Sequence, residues 1–123
     1  MQTSTILNVT FDCADPAVVA RFWAAVTGWS LHREDVPSGR EEYRVGPSAA
    51  SGIRLYFVGV PEAKVVKNRI HLDILPPDGD PGLEVARLRR LGASVPDDQP
   101  DGASWLIMAD PEGNEFCLEG GRS

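Results

Sequence analysis

The dipeptide Asp-Pro stands at Asp15-Pro16 and again at Asp80-Pro81, each time between an alternating apolar segment and a run of helical spacing. This repetition constrains the fold more than any other feature of the chain. A carboxylate before the first turn accepts hydrogen bonds from amides that have no helical partner, and proline at the first helical position has its φ already set. After Asp15, the residues Val19, Phe22, Trp23 and Val26 fall on one helical face that stops at Gly28, with Trp23 read as core. After Asp80, Leu83, Ala86, Leu88 and Leu91 predict a second helix that stops at Gly92. The two helix starts are 65 residues apart and the two stops 64.

The repetition extends to strands. Leu7–Asp12 and Ile70–Ile74 alternate apolar and polar residues, which makes Asn8 and His71 equivalent. Gly28–Leu31 is echoed by Gly92–Val95, Tyr43–Val45 by Trp105–Met108, and Ile53–Phe57 by Glu115–Glu119. Turns with Gly52 and with Gly113-Asn114 precede the last pair. The expectation is a single α+β domain over 1–123, built from two tandem βαβββ modules at about 5–60 and 67–120. Pro61–Val66 then links the modules, and Pro96–Gly102 is a solvated acidic loop.

Composition narrows the function classes. A formal net charge of −6 with scattered cationic residues opposes nucleic acid and anionic membranes as partners. Apolar stretches such as Phe22–Val26 are far too short for a membrane span, and Met1–Thr5 carries no secretory pattern, so a cytoplasmic location is expected. Cys13 and Cys117 lack a CxxC spacing and read as reduced thiols. A domain of this size buries enough surface to fold without a metal or a disulfide.

Asp12-Cys13-Ala14-Asp15-Pro16, Arg21-Phe22-Trp23, Lys67–Asp73 and Asp110–Cys117 follow one another in this duplicated frame. In them the chain resembles, over nearly its whole length, the vicinal oxygen chelate superfamily and more narrowly its glyoxalase-like branch. That superfamily includes glyoxalases, extradiol dioxygenases, epimerases, fosfomycin-modifying enzymes and bleomycin-binding resistance proteins, and the fold alone does not choose among them. The resemblance implies two modules forming a half-open concave sheet with helices on the outside, and a homodimer. In metal-using members a divalent ion is held by a His in the first strand of a module and a Glu in the last. The matching positions here are Asn8 and His71 for the first strands, Cys117 for the last strand of the second module, and Arg54 or Tyr56 for that of the first. Only His71 is a conventional ligand, so a metal-free cup is expected; the remaining metal reading is a soft divalent ion at His71 and Cys117, helped by Asp73.

Alternation along a strand indicates the residues that face the cup. These are Asn8, Thr10 and Asp12, then Arg69, His71 and Asp73, then Glu115, Cys117 and Glu119. Arg54 and Tyr56 join them if Leu55 and Phe57 pack on the helix; Trp105 with Ile107, or Leu106 with Met108, completes the lining. Trp29, Tyr56 and Trp105 are candidate apolar walls for a small organic ligand. Arg54 either receives a ligand anion or pairs with Asp12 or Asp73. His71 and Asp73 are the candidate acid–base pair, or else belong to a structural polar network. Cys117 is a nucleophile only if His71 depresses its pKa, and otherwise a small inert residue. The function expected is binding of a small, partly apolar organic molecule in a metal-free concave site. The alternatives are a metal-dependent lyase, isomerase or dioxygenase with a degenerate ligand set, a metal-free His/Asp enzyme, and a module that binds a partner through its aromatics.

Overall fold

Asp15 caps the first helix as its position before Pro16 requires, its Oδ1 accepting the Val18 amide at 3.4 Å. In the computed structural model, which describes residues 2–37, 39–47, 52–77 and 80–120, helix α1 covers Pro16–Thr27 and ends where Gly28 adopts a left-handed φ of 73°. Around it, the unit Met1–Ala63 forms β1 (Asn8–Cys13), β2 (Ser30–Glu34), β3 (Glu42–Gly46) and β4 (Arg54–Gly59). The sheet order is β1-β4-β3-β2, with β1 parallel to β4 and the other pairs antiparallel. Helix α1 lies against this sheet and buries Val19, Phe22 and Trp23. Phe11 holds the layers together, stacked on Phe57 at 4.8 Å between centroids and tilted against Trp23 at 5.8 Å.

The unit Lys64–Ser123 repeats the plan in shortened form with β5 (Asp73–Ile74), α2 (Pro81–Leu91), β6 (Leu106–Ala109) and β7 (Glu115–Leu118). Its order is β5-β7-β6, with β5 parallel to β7. In place of a full outer strand, Ser94 exchanges two backbone hydrogen bonds with Ala109, both 2.9 Å. The Gln99 side chain occupies the next ladder position, accepting from the Ile107 amide and donating to its carbonyl. The loop read as merely solvated therefore protects the edge of β6. Two helices and two small mixed sheets make an α+β fold. Among the described residues no helix is long and apolar enough to cross a membrane.

Several expectations need correction. The strand predicted over Ile70–Ile74 is reduced to Asp73–Ile74, and Ile70 is 81% exposed. Its ladder to β7 starts only at the Leu72 carbonyl, because the preceding chain is held by side chains instead: the Asn68 amide donates to Glu115 Oε1. Leu7, assigned to the helix layer, is 60% exposed, since β1 begins after it. The strand Gly92–Val95 is a single bridge. On α2 Glu84 and Leu88 are buried and Pro81, Val85 and Leu91 half-buried, whereas Leu83 is 71% exposed and Ala86 is exposed as well. Glu84 hid this face: it is buried with its charge answered by Arg87 Nε at 2.8 Å.

The β6–β7 turn depends on one carboxylate. Asp110, 2% exposed, accepts the amides of Glu112 and Asn114 at 2.9 and 3.0 Å and the Asn114 side-chain amide at 2.9 Å. Asp110→Ala is expected to lower unfolding stability by about 2–3 kcal/mol, because it strands these donors. Urea denaturation measures it, and a loss below about 0.5 kcal/mol contradicts the role given to this carboxylate.

Candidate functional site

Parallel pairing of a unit's first and last strands sets their polar residues side by side. In the first unit Phe11, Leu55, Phe57 and Val45 face the core, so the alternate residues form a grid on the other face. The rows, read from the strand register, are Asn8–Arg54–Gly46–Ser30, Thr10–Tyr56–Arg44–His32 and Asp12–Val58–Glu42–Glu34. The lower two rows are tied together: Tyr56 donates to Glu42 at 2.6 Å, and Arg44 Nε to Glu34 at 2.7 Å. The hydrogen bond to Glu42, with burial and the negative charge of Glu42 adding to it, pushes the Tyr56 hydroxyl up to about 12. In the top row, Asn8 Oδ1 and Arg54 Nε are buried without a hydrogen-bond partner. The pairing of Arg54 with Asp12 or Asp73 weighed from the sequence is not among the ion pairs of the described residues.

In the second unit the corresponding face carries a recess of about 260 Å³ lined by Lys67, His71, Asp73, Trp105, Ile107, Glu115, Cys117 and Glu119. Asp73 stands opposite Cys117 in the β5–β7 register, and Ile107 opposite Cys117 in that of β6–β7. His71 Nδ1 lies 3.1 Å from Asp73 Oδ1 and 3.8 Å from Cys117 Sγ. One donor atom from each of these three residues lies within 4.8 Å of the others, an arrangement able to hold a metal ion. Burial raises the Cys117 thiol pKa, and the charges of Asp73 and Glu119 raise it further against the opposing effect of Lys67. Burial pushes the Glu115 carboxyl upward, but hydrogen bonds from the backbone of Asn68, its own amide and Lys64 outweigh it and leave it below its ordinary value.

This geometry sorts the candidates. His71, Asp73, Trp105, Cys117 and Glu119 share the recess; Asn8, Asp12, Arg54 and Tyr56 share the grid of the first unit. Trp29 belongs to neither set: it is half-buried before β2, its amide bonded to Thr27 Oγ1. Trp105 and Ile107 form the wall left open in the sequence, since Met108 is fully buried. Arg69 is exposed and outside the lining, whereas Lys67, given no role from the sequence, is within it. A Cys-His-Asp relay is not built here, because both partners meet the same imidazole nitrogen, while a relay uses one nitrogen for each. Nor is the thiol activated, since its pKa is raised.

Cys117 is therefore expected to react with iodoacetamide slowly at neutral pH and to accelerate only above the ordinary thiol range. Asp73→Asn should move that rise to lower pH. Peptide mapping of the alkylated chain checks both, and fast neutral labelling of Cys117 contradicts the environment described.

Residues 8–119 match the family model described as a glyoxalase-like domain. No curated protein matches the chain in a sequence comparison. Among solved structures, it is similar to a fosfomycin resistance protein from Listeria monocytogenes complexed with Mn(II) and 1S,2S-dihydroxypropylphosphonic acid, at TM-score 0.73 and 12% identity over 98% of this chain and 94% of that one. It is also similar to an antibiotic-binding protein from Streptomyces, at TM-score 0.65 and 19% identity over 97% of both chains. A trypanothione-dependent glyoxalase I of Leishmania major gives TM-score 0.64 and 16% identity, over 97% and 88%. At these identities the likenesses show the fold.

Proposed function

Because the chain belongs to the glyoxalase-like domain family, within the vicinal oxygen chelate superfamily, we propose that it binds a small, partly apolar organic molecule in the recess over His71, Asp73 and Cys117 without a resident metal. The observation that carries this reading is the two-sided lining: Trp105 and Ile107 offer an apolar wall, against the polar groups of Lys67, His71, Asp73 and Glu119. An apolar wall with a few convergent polar groups is what a small ligand needs for burial and orientation. Sequestration of the bound molecule fits this arrangement, as does the likeness to an antibiotic-binding protein. A cytoplasmic single domain acting as a homodimer completes the proposal. β1 and β5 each stand at the edge of their own sheet, the kind of edge that pairing of chains covers.

The donor set bears on the metal question. A thiol suits a hard ion such as manganese poorly and a thiophilic one such as zinc better. Any such ion bound through the sulfur must displace the Cys117 proton, which burial and two carboxylates retain. At the matching places of the first unit stand a neutral amide, Asn8, and a cation, Arg54. The clustering of three donors keeps zinc as a second reading. Another is metal-free acid–base catalysis: Asp73 accepting from Nδ1 leaves His71 Nε2 free to take a proton.

Protein purified without a histidine tag is expected to carry no stoichiometric metal, and added Zn²⁺ to change its melting temperature little. An ion bound a hundredfold above its dissociation constant would stabilise the fold by about 2.7 kcal/mol, and that result would establish the zinc reading instead. His71→Ala should abolish the response to ligands found in a thermal-shift screen, while altering stability by no more than about 1 kcal/mol, because the pair it breaks is 40% and 53% exposed. Loss of stability without loss of ligand response would remove His71 from the site. Light scattering at micromolar concentration should give the mass of a dimer, and a monomer mass contradicts the assembly.

A further inference from the structure

Asn8 and Arg54 are exact neighbours across the β1–β4 pair, and each keeps one buried polar atom with no partner: an acceptor, Oδ1, and a donor, Nε. Folded proteins pair nearly all such atoms, so the two together call for a missing group. Two other charged or buried groups of this face are answered within it. Arg44 is answered by Glu34 and Tyr56 by Glu42, which leaves the top row with a guanidinium whose neighbours in the grid, Thr10, Tyr56 and Arg44, include no carboxylate. A guanidinium stays charged at any working pH, and a partly buried charge is stable only when answered.

The seat of Arg54 is itself specific. A Cβ on Gly46 would stand 2.7 Å from Arg54 Cγ and 3.3 Å from Cδ, so the absence of a side chain on β3 is what lets the arginine lie across it. Gly46 has an ordinary backbone conformation among the described residues, outside the left-handed region. Its lack of a side chain thus serves the Arg54 stem and not a turn.

We propose that Arg54 and Asn8 form a binding site for a small oxyanion that carries a hydrogen-bond donor on the adjacent atom, a hydroxy-carboxylate being the simplest case. The anion answers the guanidinium through Nε, and the neighbouring hydroxyl donates to Asn8 Oδ1. The two residues are one strand spacing apart, about 4.8 Å, so vicinal groups of one small molecule reach both. Both atoms are shut off from bulk water, so binding requires that the Arg54 head turn on its stem to admit the ligand. This site lies wholly within the first unit and does not rest on the recess of the second.

The test uses glycolate and acetate, which share charge and size and differ by the one hydroxyl, titrated into the full chain and followed by amide chemical shifts. Glycolate should bind saturably with shifts centred on Asn8, Arg54 and Ser30, about tenfold more tightly than acetate for one added hydrogen bond. Arg54→Gln should abolish binding of both anions, Asn8→Ala should erase the preference for glycolate, and Gly46→Ala should weaken both by displacing the arginine. His71→Ala should leave these titrations unchanged, so failure here is separate from failure at the recess. Asn8→Leu adds a readout independent of binding: removal of an unanswered buried acceptor should leave the melting temperature unchanged or raise it. A lowered melting temperature in Asn8→Leu would mean that an internal water already satisfies the pair and would overturn the proposal. So would the absence of saturable glycolate binding, or binding that survives Arg54→Gln.

Discussion

The pairing of the first strand of each unit, in parallel, with its last is the constraint from which the rest follows. Parallel neighbours cannot be joined by a tight turn and need a long crossover, which here includes the helix and the intervening chain. The result is that residues far apart in sequence stand abreast: Asn8 beside Arg54, and Asp73 beside Cys117. In the second unit two hydrogen bonds of 2.9 Å, from the Cys117 amide to the Leu72 carbonyl and from the Glu119 amide to that of Ile74, hold this register although β5 has only two residues. A one-residue slip of β7 would turn Phe116 and Leu118 outward, so burial of this apolar pair enforces the register that sets Cys117 beside Asp73.

The same wiring carries different chemistry in the two units. On the first, Tyr56–Glu42 and Arg44–Glu34 tie the two lower rows of the face together by hydrogen bonds. The buried polar atoms of this face that lack a partner among the described residues lie in the row of Asn8 and Arg54. On the second, the short β5 and the side-chain anchorage of Asn68 to Glu115 leave room above Cys117, and the His71–Asp73 pair stands at the rim of that room. The two units thus share a parallel first-to-last strand pairing, with a hydrogen-bonded polar face in one and a recess in the other.

What the sequence made legible were the features with a local cause. Asp15-Pro16 and Asp80-Pro81 announce helices because capping and proline act within one turn, and both helices start where those residues place them. The failures have non-local causes. Glu84 sits on the buried face of α2 because Arg87 neutralises it, a compensation that a hydrophobic pattern does not register, so the apolar face was read through Leu83 instead. Ile70 alternates properly for a strand, but alternation cannot reveal that its neighbours are held by Glu115, some 47 residues away from Asn68. The ambiguity of Trp105–Met108 was soluble in principle. The Asp110–Asn114 turn closes with the Asp110 amide on the Asn114 carbonyl, and counting back from that closure pairs Met108 with Phe116 on the core side and Ile107 with Cys117 on the other.

Cys117 shows how one substitution bears on the chemistry of the whole recess. A carboxylate at this position would place a third like charge near Asp73 and Glu119, and a bound cation would relieve it. A thiol held protonated by burial and by those two charges adds none. The imidazole of His71 can then be satisfied by Asp73 alone, through the 3.1 Å contact at Nδ1, with no cation required for electrostatic balance. A carboxylate in this place would add a hard ligand and a charge that calls for an ion; the neutral thiol supplies neither, and the apolar side of the sulfur adjoins Trp105 and Ile107 in the lining of the recess.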